Sequence, residues 1–193
     1  MKNPIIKNNT TVVFGPVRLS HAHLLEKYAF DDNDSAAKYS CVPLIPKDET
    51  KTLEAIRTAI DAAYRQGVTS KWGGKKPPFD NYPPLADGDT LNKNGEERGA
   101  ECKGHYFLNA KSTRKPQTVD RSFNPVTDPD EVYSGMWGMV SVTFYPYDTN
   151  GRGVACALNN VMKTRDDEHF GGGTTAASDF SGFDFSDDDQ DDL

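Results

Sequence analysis

Tyr133–Tyr147 (YSGMWGMVSVTFYPY) and Gly153–Lys163 (GVACALNNVMK), joined through Asp148-Thr149-Asn150-Gly151, decide the fold. Both runs are rich in β-branched and aromatic residues. Asn-Gly between two such runs is the strongest short-range hairpin signal, because it accepts the positive φ values of the tight turn. Side chains alternate across a strand. In the first run this places Met136, Gly138, Val140, Val142 and Phe144 on one face, read as core. Trp137, Met139, Ser141, Thr143, Tyr145 and Tyr147 take the other, where Ser141 and Thr143 indicate solvent.

Working outward, Thr11–Leu19 (TVVFGPVRL) has the same composition, with Gly15-Pro16 predicting a bulge or edge break inside it. Lys38–Ile45 (KYSCVPLI) is a second short strand, closed by Pro46. A helix follows. Asp48 or Thr50 is expected to cap it, Leu53, Ile56, Ile60, Ala63 and Tyr64 recur at helical spacing, and Gly67 is expected to end it. From Val68 to Cys102 the glycine and proline pairs mark a long irregular excursion, a kind of loop that commonly carries function. Gly104–Ser112 (GHYFLNAKS) returns to strand, with Phe107, Asn109 and Lys111 opposite Tyr106, Leu108 and Ala110. The polar partners favour Phe107 and Lys111 facing outward.

About five strands, long loops and one helix predict a mainly β chain. The expected architecture is a five-stranded OB-fold barrel with long insertions, which binds oligonucleotides across one face. Residues 1–165 form the expected domain, of a size that supports its own core. Residues 166–193 form an acidic tail, too charged and too poor in branched apolar residues to fold, with Gly171–Gly173 as hinge.

Charge is distributed unevenly. All 22 basic residues precede Asp166, together with 19 of the 29 acidic ones, leaving the body at about +3 and the tail at −10. A basic body with an aromatic-dotted acidic tail suggests a polyanion binder carrying its own polyanion mimic. Three widely spaced cysteines, Cys41, Cys102 and Cys156, form no CxxC pair and fit a reducing cytoplasm. No signal-peptide pattern and no membrane-spanning apolar run is present, so a soluble intracellular protein is expected.

The cations cluster beside rings. Lys71, Lys75 and Lys76 surround the Trp72 indole in a glycine-bearing loop, with Phe79 and Tyr82 following. Lys111, Arg114 and Lys115 form a second cluster, and Arg121 and Arg152 follow nearby loops. Interleaved cations and rings suit an unpaired nucleic-acid strand: cations track phosphates and rings take bases. Candidate contacts are therefore Lys71, Trp72, Lys75, Lys76, Lys111, Arg114, Lys115, Arg121 and Arg152, with Phe107, Trp137, Tyr145 and Tyr147. His21 and His23 lack further ligands at metal-site spacing and read as surface strand. Asp87-Gly88-Asp89 with Glu101 reads as turn chemistry, although a metal-dependent DNA-processing enzyme using Asp87, Asp89 and Glu101 is the rival it would support. No phosphate-binding loop, nucleophile elbow or dinucleotide fingerprint occurs, so neither a cofactor nor a resident metal is implied.

The sequence also resembles a widespread phage family long catalogued as a domain of unknown function. The likeness runs through Gly15-Pro16-Val17-Arg18-Leu19-Ser20, Lys38-Tyr39-Ser40, Leu44-Ile45-Pro46-Lys47, Lys71-Trp72-Gly73 and Asp87-Gly88-Asp89. It continues through Gly104–Ala110, Lys115-Pro116-Gln117, Tyr133-Ser134-Gly135, Gly153-Val154-Ala155 and Leu158–Val161, covering nearly the whole body in order. The resemblance implies a phage single-stranded DNA-binding protein with an OB-fold, acting in replication and recombination in the infected cell's cytoplasm. Acidic tails of such proteins often end in an aromatic residue, whereas this chain ends Asp191-Asp192-Leu193. Its aromatics lie further back, so the expected docking segment for replication partners comprises Asp179, Phe180, Phe183, Asp184, Phe185, Asp187, Asp188, Asp189, Asp191 and Asp192. A DNA-mimicking interaction module is the second rival. The sequence leaves oligomeric state open, a homo-oligomer included.

Overall fold

A computed structural model of the chain describes residues 1–29, 37–75, 77, 84–171 and 182. Among the described residues there are nine strands and one α-helix, more strands than the five expected. β1 is Ile5–Asn8, β2 Thr11–Tyr28, β3 Lys38–Pro46, α1 Thr50–Ser70 and β4 Leu85–Asp87. Then come β5 His105–Leu108, β6 Ala110–Ser112, β7 Gln117–Val119, β8 Trp137–Tyr147 and β9 Gly153–Arg165. The surplus strands are short. β1, β4 and β7 have three or four residues each, too few to show alternation. The single expected strand at Gly104–Ser112 is split at Asn109 into β5 and β6, both pairing with β3.

The pairings close a circuit. β2 pairs with β3 and β8, β3 with β6, β6 runs parallel to β9, and β9 returns to β8. β2 spans 18 residues and serves two neighbours. Its register against β8 shifts between Phe14 and Val17, a bulge at Gly15-Pro16 as the sequence predicted. β8 and β9 form the expected hairpin, and their pairing runs from Trp137↔Arg165 to Tyr147↔Gly153.

The core lies inside this circuit. Met136, Gly138, Val140, Val142 and Phe144 are buried, as parity required, with Val12, Phe14, Leu19, Ile45, Leu108 and Val161 around them. α1 closes the core with Leu53, Ile56, Ile60, Ala63 and Tyr64, the predicted set. Two details differ from expectation. Glu49 precedes the helix, and no side chain caps it. Gly67 does not end the helix, which runs on to Ser70. Its role is steric: a Cβ there would stand 2.5 Å from the Trp72 ring. Cys41, Cys102 and Cys156 are free and buried. Burial alone pushes the Cys41 thiol up to about 12. No described helix is long and apolar enough to cross a membrane.

Candidate nucleic-acid interface

The outward face of β8 meets the sequence prediction at one end and at the other. Trp137 is half-buried and Tyr145 is 45% exposed, with Ser141 and Thr143 between them. Asn159 on β9 donates to both hydroxyls, at 3.3 and 2.9 Å, and holds the middle of the face polar. Tyr147 is half-buried against its strand partner; a Cβ on Gly153 would lie 2.9 Å from its hydroxyl.

Trp72 needs correction. Expected in the groove, it is 1% exposed and belongs to the main core. Its indole N–H donates to the Tyr147 carbonyl at 3.0 Å, and its ring meets Tyr64 edge-on at 5.1 Å. The Tyr64 hydroxyl in turn donates to the Pro77 carbonyl. An indole enclosed in this way cannot stack on a base. Its contacts nevertheless tie the 71–75 loop to the β8–β9 turn, where Lys71 reaches Asp148 at 3.9 Å and Lys75 and Arg152 are exposed. Lys76, with Phe79 and Tyr82, lies outside the described residues.

Phe107 is the second correction. Its parity was right: it faces away from the main core, on the side of Lys111. It is nevertheless only 5% exposed, because the chain returns over it and forms a small cluster with Leu44 and Cys102. The Arg98 guanidinium lies 4.9 Å above its ring. Lys111, Arg114, Lys115 and Arg121 are exposed, Lys111 on β6 and the others on the loops beyond it.

Sequence reasoning missed a patch around Trp137. Arg18 pairs with Trp137 across β2 and β8, and Arg165 pairs with it across β9. The Arg165 guanidinium sits 4.1 Å over the Trp137 ring, and Tyr133 and Lys163 adjoin, the ammonium 5.7 Å from the phenol ring. The root of the acidic tail, Asp166–Phe170, folds back onto this patch. Asp167 accepts from the Trp137 indole N–H at 2.6 Å and pairs with Arg18 at 3.4 Å. Asp166 pairs with Lys163 at 2.8 Å and accepts from the Tyr133 hydroxyl at 2.9 Å. His169 stacks on Tyr133 at 3.8 Å and 9°, and the Phe170 ring lies 4.3 Å under the Arg18 guanidinium. Arg18 donates to the Gly135 carbonyl at 2.7 Å and to the Glu168 carbonyl. Gly135 makes the approach feasible: at φ +115° it favours glycine, and a Cβ would stand 2.2 Å from the Glu168 carbonyl. The signal available in the sequence was the abrupt sign change at Lys163-Thr164-Arg165-Asp166-Asp167-Glu168.

Electrostatics follow the contacts. The Lys163 hydrogen bond, then that from Tyr133, holds the Asp166 carboxyl below its ordinary value. Asp167 is lowered first by the Trp137 N–H. Burial pushes the Tyr133 phenol up. Elsewhere, Lys47 spans Asp87 and Asp89 at 2.6 and 2.7 Å, and Asp89 also accepts from the Gly104 amide at 2.8 Å. Hydrogen bonding to Lys47 is the largest cause holding both carboxyls down. Glu101 accepts from Ser20 at 3.3 Å. Asp87 and Asp89 are thus engaged by turn and lysine contacts, and Glu101 by a serine hydroxyl of β2. Among the described residues, no group of three histidine, cysteine or acidic side chains could hold a metal ion.

The chain falls in a family of phage single-stranded DNA-binding proteins. Residues 10–193 match the family described as Enterobacter phage Enc34, ssDNA-binding protein, and the chain belongs to it. It is similar to the single-stranded DNA-binding protein from bacteriophage Enc34 solved in complex with ssDNA, at 26% identity and a TM-score of 0.66, covering 89% of this chain and 95% of that one. It is also 33% identical to "Putative protein p50" of Acyrthosiphon pisum secondary endosymbiont phage 1 over 170 residues, 83% of this chain and 86% of that protein. The bacteriophage T7 single-stranded DNA-binding protein gp2.5 shares the fold at 13% identity, with a TM-score of 0.54 over 91% of this chain and 96% of its own. The matched family and the solved phage structures are binding proteins, not enzymes.

Proposed function

We propose that the chain is a non-enzymatic single-stranded DNA-binding protein of phage replication and recombination, working in the cytoplasm of the infected cell. In this reading residues 1–165 are the binding domain, and the five-strand circuit β2–β3–β6–β9–β8 is an OB-type barrel. The strand is bound without sequence preference, cations neutralising phosphates and exposed rings taking bases. Membership of the Enc34 family supports the reading. The observation that carries it furthest is the Trp137 patch, where Arg18, Lys163 and Arg165 surround a ring on the outward face of the sheet. Opposite charge and flat rings are what the patch selects.

Residues 166–193 are then a competitor that DNA displaces, freeing the tail to recruit a replication or recombination protein. The contacts of Asp166–Phe170 support the competition, since carboxylates stand where phosphates would and two rings stand where bases would. The more distal aspartates and phenylalanines, Asp179 to Asp192, lie outside the described residues. The test is fluorescence anisotropy of labelled oligo-dT with the full chain and with a chain ending at Arg165, over a salt series. Salt-sensitive binding that tightens on truncation is expected. Binding by neither chain would sink the reading and favour the DNA-mimicking module.

A further inference from the structure

A groove of about 520 Å³ opens where the far end of β2 crosses β3 and β6. It lies on the same side of the sheet as Lys111, and Val42 in its wall packs against the Leu44–Cys102–Phe107 cluster that Phe170 also touches. One wall is a preformed aromatic stack. The His23 and Tyr28 rings lie parallel, 4.2 Å apart with planes 7° from each other. They are five positions apart, and a regular strand would send an odd separation to opposite faces. The pairing of β2 with β3 shifts register twice, between Ser20 and His23 and again between His23 and Tyr28. His21, at φ 48°, marks the first shift. Irregularities of this kind re-aim side chains, and here they bring two rings to one side.

Two lysines, Lys38 and Lys111, are exposed in the lining, and no carboxylate is among the described residues that line it. Ser40 and Asn109 add a hydroxyl and an amide, able to donate and accept. Cations in a lining with no carboxylate among its described residues select an anion; parallel rings select a flat, unsaturated ring. Burial, and secondarily the charge of His21, hold the His23 imidazole below its ordinary value, so it stacks uncharged at neutral pH.

We propose that this groove is a nucleotide subsite, in which a base lies against the His23–Tyr28 stack with its edge toward Asn109 and Ser40. Lys38 and Lys111 take the flanking phosphates. The proposal rests on the reading of the chain as a single-stranded DNA binder and adds where one base is seated, further along β2 than Arg18, the register partner of Trp137. A strand crossing both would lie under the tail root at one end and in this groove at the other.

The test uses the full chain, labelled oligo-dT and an abasic oligodeoxynucleotide of equal length. Tyr28→Ala and His23→Ala are expected to weaken oligo-dT binding about tenfold and to leave abasic binding unchanged, while Tyr28→Phe restores the wild-type value. Lys111→Ala is expected to weaken both ligands. Circular dichroism confirms folding of each variant. A wild-type chain that binds neither ligand would overturn the parent function. Wild-type binding with oligo-dT affinity unchanged in both alanine variants, or lowered equally for the two ligands, would overturn the subsite alone. Photocrosslinking with a 5-iododeoxyuridine strand gives a second readout: adducts on Tyr28 or His23 support the proposal, and adducts confined to other residues overturn it.

Discussion

Trp72 and Trp137, the chain's two indoles, are separated by the acceptors of their N–H groups. Trp72 donates to a main-chain carbonyl inside the fold, whereas Trp137 donates to a tail carboxylate at the surface. Trp72→Ala should therefore cost about 3–5 kcal/mol of stability in urea melts, the usual cost of removing a buried indole. The folded variant should keep the wild-type affinity for oligo-dT. Trp137→Ala should do the reverse: about tenfold weaker binding with stability changed by less than about 1 kcal/mol. Parity read Trp137 correctly because its strand is long and alternates. It could not read Trp72, which sits beyond a helix in a loop with no period. What buries Trp72 is a glycine five residues back and a carbonyl 75 residues on. Phe107 shows the same division: its face was legible, the loop that covers it was not.

The hairpin, the bulge at Gly15-Pro16 and the buried stripe of α1 were legible because each is a local pattern long enough to repeat. Strands of three residues were not, and neither was the landing of the tail root, since Glu168 meets Arg18 across 150 positions. That landing has a pH dependence of fixed sign. Docking depresses the Asp166 and Asp167 carboxyls, so the contact is complete above the ordinary carboxylate value, about 4, and is lost as pH falls through the lowered one. The Trp137 indole N–H resonance reports it directly: it should shift on acidification, and a resonance unmoved after both carboxyls are protonated would refute the linkage. Asp167→Asn removes the ion pair to Arg18 while leaving an acceptor for the indole. It should tighten DNA binding of the full chain by at most about fivefold, because exposed ion pairs contribute little.

Across the molecule, the candidate cations fall in separate groups held by different elements. Lys71, Lys75 and Arg152 gather at the β8–β9 turn, and Lys111 lies on β6 with Arg114 and Lys115 in the loop beyond. Trp137 and Tyr145 are eight residues apart on β8, about 26 Å at the usual rise, so a bound strand must be extended to meet both. In such a groove each phosphate contact adds a roughly constant term to the salt dependence, with a slope of about −0.7 per contact for single strands. Lys71→Ala and Lys111→Ala should each lower the slope of log affinity against log salt by about that amount, and weaken binding evenly across sequences. Lys47→Ala is the internal control. Its ammonium already bridges Asp87 and Asp89, so it has no charge to offer a phosphate and the slope should not change. If all three variants keep the wild-type slope, the phosphates are neutralised elsewhere and the cation groups are only solvated surface. If Lys47→Ala changes the slope as much as the others, net charge alone steers the strand and no groove is being read.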